Sequence, residues 1–118
     1  MPEIYDEQYE QFSLSLKFID NVIETIDMKQ EVTLEQNYPN PVVANTSIKI
    51  NSSLDSNAKL MFISIDGKIL NTKLINLSKG VNTVVVNSNE LHTNSTVIFY
   101  NLLIEDEIID SKKMILKR

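Results

Sequence analysis

Apolar residues change their spacing once along this chain, and the change divides it. Tyr5, Tyr9, Phe12, Leu16, Ile19, Ile23 and Ile26 recur at alternating intervals of four and three. That 3.5-residue period lines one narrow stripe of a helix. Pro2 suits a first helical turn, and Glu3, Asp6 and Glu7 suit the positive end of the helix dipole. No Gly or Pro interrupts residues 3–37. The pattern predicts an amphipathic helix from Glu3 to Lys29. Its stripe has two readings: packing on its own domain or on an upstream part of a longer protein, or the seam of a coiled coil joining identical chains. Val22 widens the stripe and the flanks lack a clear pattern of opposite charges, so both readings stay open. The paired tyrosines read as seam residues rather than a ligand cage.

After Gln30 the period shortens to two. Short β-branched stretches alternate with clusters of Asn, Ser, Asp, Gly and Pro. They predict strands at Val32–Leu34, Ser47–Asn51, Lys59–Ile65, Lys68–Ile75, Asn82–Val86, Val97–Ile104 and Ile108–Leu116. Ile48 and Ile50 alternate with Lys49 and Asn51, and Leu60, Phe62 and Ser64 alternate with Met61, Ile63 and Ile65. Seven short strands so patterned predict a mainly β chain: a seven-stranded, Ig-like antiparallel β-sandwich preceded by one amphipathic N-terminal helix. Asp66-Gly67 is expected to form a type I′ hairpin turn, Ser78-Lys79-Gly80 ends the next arm, and Glu105-Asp106-Glu107 caps a hairpin without glycine. Leu60, Phe62, Val85, Phe99 and Leu116 are the expected core, each costing ~2–5 kcal/mol on truncation to alanine. The organisation expected is a helix over 1–30, an extended Pro-containing linker over 31–41, and a sandwich over 42–118.

Charge follows the same division. Nine acids against Lys17 and Lys29 give residues 1–35 a net of −7, and residues 36–118 carry a net of +2. Neither part has the dense Lys/Arg face of a nucleic-acid binder. The 118 residues contain no cysteine, one histidine (His92) and two glycines. Thiolate chemistry, a His-based triad and a Gly-rich phosphate loop therefore lack material, so neither an enzyme nor a bound cofactor or metal is expected. Three neighbouring acids at Glu105–Glu107 are the raw material of a calcium site, but a solvated turn is the simpler reading. His92 falls in a polar loop as an exposed side chain. The N-x-S/T triplets at Asn45, Asn51, Asn76 and Asn94 reflect Asn-rich composition. No apolar run spans a bilayer. The acidic start is no signal peptide, so any export signal is expected upstream.

Leu34-Glu35-Gln36-Asn37-Tyr38-Pro39-Asn40-Pro41 is the most diagnostic stretch, since two prolines one residue apart forbid a central strand or helix. With Thr46-Ser47-Ile48-Lys49-Ile50 after it, the stretch resembles the opening of type A C-terminal sorting domains of the Bacteroidetes type IX secretion system. The resemblance continues through Ala58-Lys59-Leu60-Met61-Phe62-Ile63-Ser64-Ile65-Asp66-Gly67-Lys68-Ile69. It resumes at Ile98-Phe99-Tyr100-Asn101-Leu102 and at Asp110-Ser111-Lys112-Lys113-Met114-Ile115-Leu116-Lys117, covering about residues 34–118. The chain departs from the family at Thr96, where glycine is usual, and at Ile98, which replaces an aromatic.

The resemblance implies an address label without catalysis. Such domains follow a cargo protein exported by an upstream signal peptide, are recognised at the outer-membrane translocon, and are typically removed at the surface by a sortase-like protease. The cargo is then released or attached to the cell surface. It implies a recognition role for Lys112, Lys113, Met114, Ile115, Leu116 and Lys117, and a hairpin role for Gly67. The segment Glu35, Gln36, Asn37, Tyr38, Pro39, Asn40 and Pro41 becomes the linker and processing region, with cleavage expected within Lys29–Asn37. The lysines of the last strand also read simply as guards against edge aggregation. The rival function is a structural adhesion or assembly module, a homo-oligomer joined through the helix. A hydrolase has little support, because no nucleophile–base pair stands out.

Overall fold

The structure is a computed structural model that describes residues 31–117. The expected helix, with its seam at Tyr5, Tyr9, Phe12, Leu16, Ile19, Ile23 and Ile26, lies outside the described residues. Within them are seven strands: β1 (Val32–Leu34), β2 (Asn45–Ser52), β3 (Ser56–Ser64), β4 (Ile69–Leu77), β5 (Gly80–Asn87), β6 (Val97–Ile104) and β7 (Glu107–Ile115). A 3-10 turn spans Ser88–Leu91. Two antiparallel sheets result, ordered β1-β2-β5 and β4-β3-β6-β7. The arrangement is sandwich-like. Each expected strand is present, with ends displaced by a few residues; the fourth starts at Ile69 and runs on to Leu77.

Alternation places the core. Ile48, Ile50 and Val86 come from the three-stranded sheet, and Leu60, Phe62, Ile98, Tyr100, Leu102 and Met114 from the other, all with no measurable exposure. Leu116 is buried as expected, but Val85 is 57% and Phe99 40% exposed. Register explains both corrections. β5 pairs Val84 with Ile48 and Val86 with Thr46, so its even residues face inward and Val85 must face out. In β6 the buried set is Ile98, Tyr100, Leu102 and Ile104, which leaves Phe99 on the opposite face.

The turn expectations exchange places. At Asp66-Gly67 only Gly67 has positive φ (+88°), and the Gly67 N–H donates to the Ser64 carbonyl at 2.9 Å. This is a three-residue loop closed by the Ser64 N–H on the Lys68 carbonyl, not a type I′ turn. Asp66 accepts from the Ser64 hydroxyl, a bond that holds its carboxyl below the usual range. The two-residue turn with both central residues at positive φ is Glu105-Asp106 (52° and 62°), between paired Ile104 and Glu107. Left-handed backbone costs a non-glycine residue about 1 kcal/mol or more. Glu105→Asn combined with Asp106→Gly is therefore expected to raise unfolding free energy by about 1–2 kcal/mol. The exposed Lys59–Asp106 ion pair that the change removes is worth less than that. Urea midpoints at constant slope check it.

Candidate functional site

β7 lies at the edge of the four-stranded sheet. An antiparallel strand sends alternate backbone groups to either side. The Leu116 N–H turns inward to the Thr96 carbonyl at 2.7 Å, so residues 113, 115 and 117 face the open side. From Lys113 onward that side is covered by the proline-bearing segment. The Gln36 side-chain amide donates to the Lys113 carbonyl at 2.6 Å, and the Ile115 N–H donates to Asn40 Oδ1 at 2.9 Å. The Val42 N–H reaches the Ile115 carbonyl at 2.7 Å, and the Lys117 N–H reaches the Val42 carbonyl at 2.8 Å. Gln36–Val42 is thus a strap hydrogen-bonded along the last strand. Its path bends at residues 39–41, and the Tyr38–Pro39 and Asn40–Pro41 bonds are both cis.

The strap has its own anchor. Asn37 and Thr46 are buried polar residues, which demand partners. Asn37 Nδ2 donates to Thr46 Oγ1 at 3.0 Å and to the Pro39 carbonyl at 3.1 Å, and the Thr46 hydroxyl donates to the same carbonyl at 2.9 Å. The Tyr100 hydroxyl rises from the core between sheet and strap. It accepts from the Asn37 N–H at 2.9 Å and donates to the Glu35 carbonyl at 3.0 Å. Burial, aided by the negative charge of Asp110 and partly offset by the Asn37 N–H, pushes the Tyr100 phenol up to about 12. Tyr38 exchanges backbone bonds with Ser47 at 2.9 and 2.8 Å while its side chain stays 81% exposed.

Beside the strapped edge lies the outer face of the same sheet. Ladder pairing sets Ile69, Ile63, Phe99 and Lys113 side by side in one row across all four strands. Val97 and Ile115 pair directly in the next row. The result is an apolar patch carrying a lysine, with Ile69 and Phe99 substantially exposed. Large exposed apolar patches mark interaction surfaces. The sequence signal was visible: Leu60–Ile63 and Val97–Tyr100 are almost unbroken apolar runs, where a sheet with one wet face alternates. The hydroxyl of Tyr100 and the strand-capping amides of Gln36 and Asn40 had no such signal.

The sequence-derived recognition residues sort by face. Lys113, Ile115 and Lys117 are exposed on the strapped edge, Lys112 is half-buried opposite Tyr100, and Met114 and Leu116 are buried. Gly67 lies in the β3–β4 turn, two residues before Ile69 at the end of the apolar row. Of the expected processing region, Asn37 is buried, Glu35 half-buried, and Gln36, Tyr38, Pro39, Asn40 and Pro41 exposed. Thr96, the position of the family's usual glycine, has no positive φ, and Ile98 is fully buried. A groove of about 580 Å³ lies at the far end of the outer face, lined by Lys59, Leu74, Leu103 and Asp106 among others. Among the described residues no group of three His, Cys, Asp or Glu side chains is placed to hold a metal ion. His92 is exposed, at φ 41°. The chain matches no protein-family model and no curated protein.

Proposed function

We propose that this chain is a non-catalytic sorting signal of the type IX secretion kind, in an Ig-like sandwich, read from the outer side of its last strand. The observation that carries the reading is the strap. Q-N-Y-P-N-P, the segment most like the sorting domains, caps the backbone of the very strand to which that resemblance gives recognition. Gln36 and Asn40 fix Lys113 and Ile115, and Asn37 fixes the strap. A rigid plane of side chains beside a closed edge is a surface an outside machine can read without pairing to it. Strand order 1-2-5 against 4-3-6-7 supports the Ig-like assignment.

Recognition divides by exposure. Lys113, Ile115 and Lys117 contact the translocon, while Met114 and Leu116 hold the strand in place. Processing by the sortase-like protease falls before Val32. Val32 and Leu34 are buried in β1 and Asn37 in the strap, so cutting inside residues 32–37 requires the sheet to open. Mass spectrometry of mature cargo is expected to find the new terminus before Val32; a terminus between Leu34 and Asn37 contradicts this.

A reporter with its own signal peptide, fused ahead of the whole chain, tests the function in a type IX-competent host and in a translocon-deficient strain. The expected result is reporter outside the first and held in the periplasm of the second. Equal retention in both refutes the sorting role and leaves a structural assembly module.

A further inference from the structure

Sheet edges invite pairing, and proteins guard them with charge, bulges, brevity or cover. Among the described residues, three of the four sheet edges are guarded and the fourth, β5, has no pairing on its outer side. β7 is strapped and carries Asp110 and Lys112 on the side of its buried partners Leu102 and Tyr100. β4 carries Lys73 on the side of buried Leu60, ion-paired to Glu90 at 2.9 Å, and a bulge between the Phe62 and Ile63 pairings. β1 has three residues. β5 has eight residues, no charge, no proline and an unbroken register with β2.

Its open side is chemically specific. The Ser88 N–H donates to the Ala44 carbonyl at 2.8 Å, which continues the β2–β5 ladder and sends even-numbered backbone groups toward β2. Val81, Thr83 and Val85 therefore present N–H and C=O to the outside. The same three side chains are exposed on the outer face, Val81 at 64% and Val85 at 57%.

We propose that the β5 edge pairs antiparallel with β5 of a second copy of this chain, centred on Thr83. This inference is independent of the sorting role. The strand is self-complementary in that register: Val81 meets Val85 of the second copy, Thr83 meets its own equivalent, and Val85 meets Val81. Odd residues face odd residues, so every outward N–H finds a carbonyl, and the β-branched side chains make the cross-strand pairs that stabilise sheets. No charge is trapped. The nearest, Lys49 beside Thr83 on β2, lies three strand spacings from its equivalent, roughly 14 Å and beyond the screening length at physiological salt. The product is a continuous six-stranded sheet, β1-β2-β5-β5-β2-β1.

The whole chain contains no cysteine, so single thiols report the register. Across the axis the two Thr83 Cα atoms would lie about 5.5 Å apart, within disulfide range. Oxidation with copper phenanthroline is expected to cross-link Thr83→Cys at least tenfold faster than Val81→Cys, whose equivalents are separated along the strands. Thr83→Lys, which opposes two ammonium groups at the axis, is expected to weaken self-association at least tenfold in sedimentation, with its unfolding midpoint unchanged at dilutions where both proteins are monomeric. Equal cross-linking at both positions, association indifferent to Thr83→Lys, or a chain monomeric at 100 µM overturns the proposal. In the last case, binding of an added Val/Thr-rich extended peptide would assign the edge to a foreign strand instead.

Discussion

Phe62→Ala is expected to lower the unfolding free energy of the chain by about 3–5 kcal/mol, and Phe99→Ala by about 1 kcal/mol or less. The two phenylalanines are alike in sequence setting, each inside an apolar run, yet they face opposite ways. Phe62 has no measurable exposure and packs its ring 6.2 Å from that of Tyr100 across the β3–β6 pair. Its removal forfeits transfer energy and leaves a cavity that the two sheets cannot close. Phe99 stands on the outer face, where solvent fills the space. Loss of 3–5 kcal/mol is a large share of the ~5–15 kcal/mol typical of small domains. Urea titration of both variants checks the face assignment; equal costs contradict it.

Tyr100→Phe is expected to cost about 2 kcal/mol, with the volume of the core unchanged. The hydroxyl satisfies one N–H and one carbonyl at the start of the strap, and its removal leaves both without that partner. Loss should concentrate in the strap: amide exchange at Asn37, Val42 and Lys117 is expected to accelerate far more than exchange in β2. The same substitution has a pH signature. A tyrosine titrates near 10 when unfolded and at about 12 here, so between those values the unfolded chain has released a proton that the folded chain keeps. The stability this contributes is complete below pH 10 and is lost as pH rises toward 12. The difference between wild type and Tyr100→Phe should therefore narrow over that window. A constant difference from pH 9 to 12 contradicts the placement of the hydroxyl.

Much of the fold was legible because period-two patterning and turn residues act locally. All seven strands were readable from β-branched runs between Asn, Ser and Gly clusters. What failed was phase. Val84-Val85-Val86 and Ile98-Phe99-Tyr100 are apolar at every position, so nothing in the runs says which residue faces in, and pairing with β2 and β3 decides it. Turn type failed for a related reason: Asp-Gly fits more than one loop, and the three-residue form here goes with a bulge at Leu70. The strap was legible only as a proline-interrupted segment. That Gln36 and Asn40 cap a strand about 75 residues away is a long-range fact, invisible to any local rule. Within the candidate surface, resemblance points to the last strand, whereas the apolar row beside it has no local signature of exposure, because an aromatic such as Phe99 is ordinarily a core residue.

The reading of the last strand meets its most direct test in export of a reporter carrying the chain with Lys113→Glu and Ile115→Asn together. Both side chains point outward, and the strap holds this strand through backbone atoms. Because Ile115 is 39% exposed and pairs with Val97, the unfolding free energy is expected to fall by only about 1–2 kcal/mol, leaving the chain folded, while reporter reaching the medium falls at least tenfold. Undiminished export by this double variant would contradict recognition at the strapped edge.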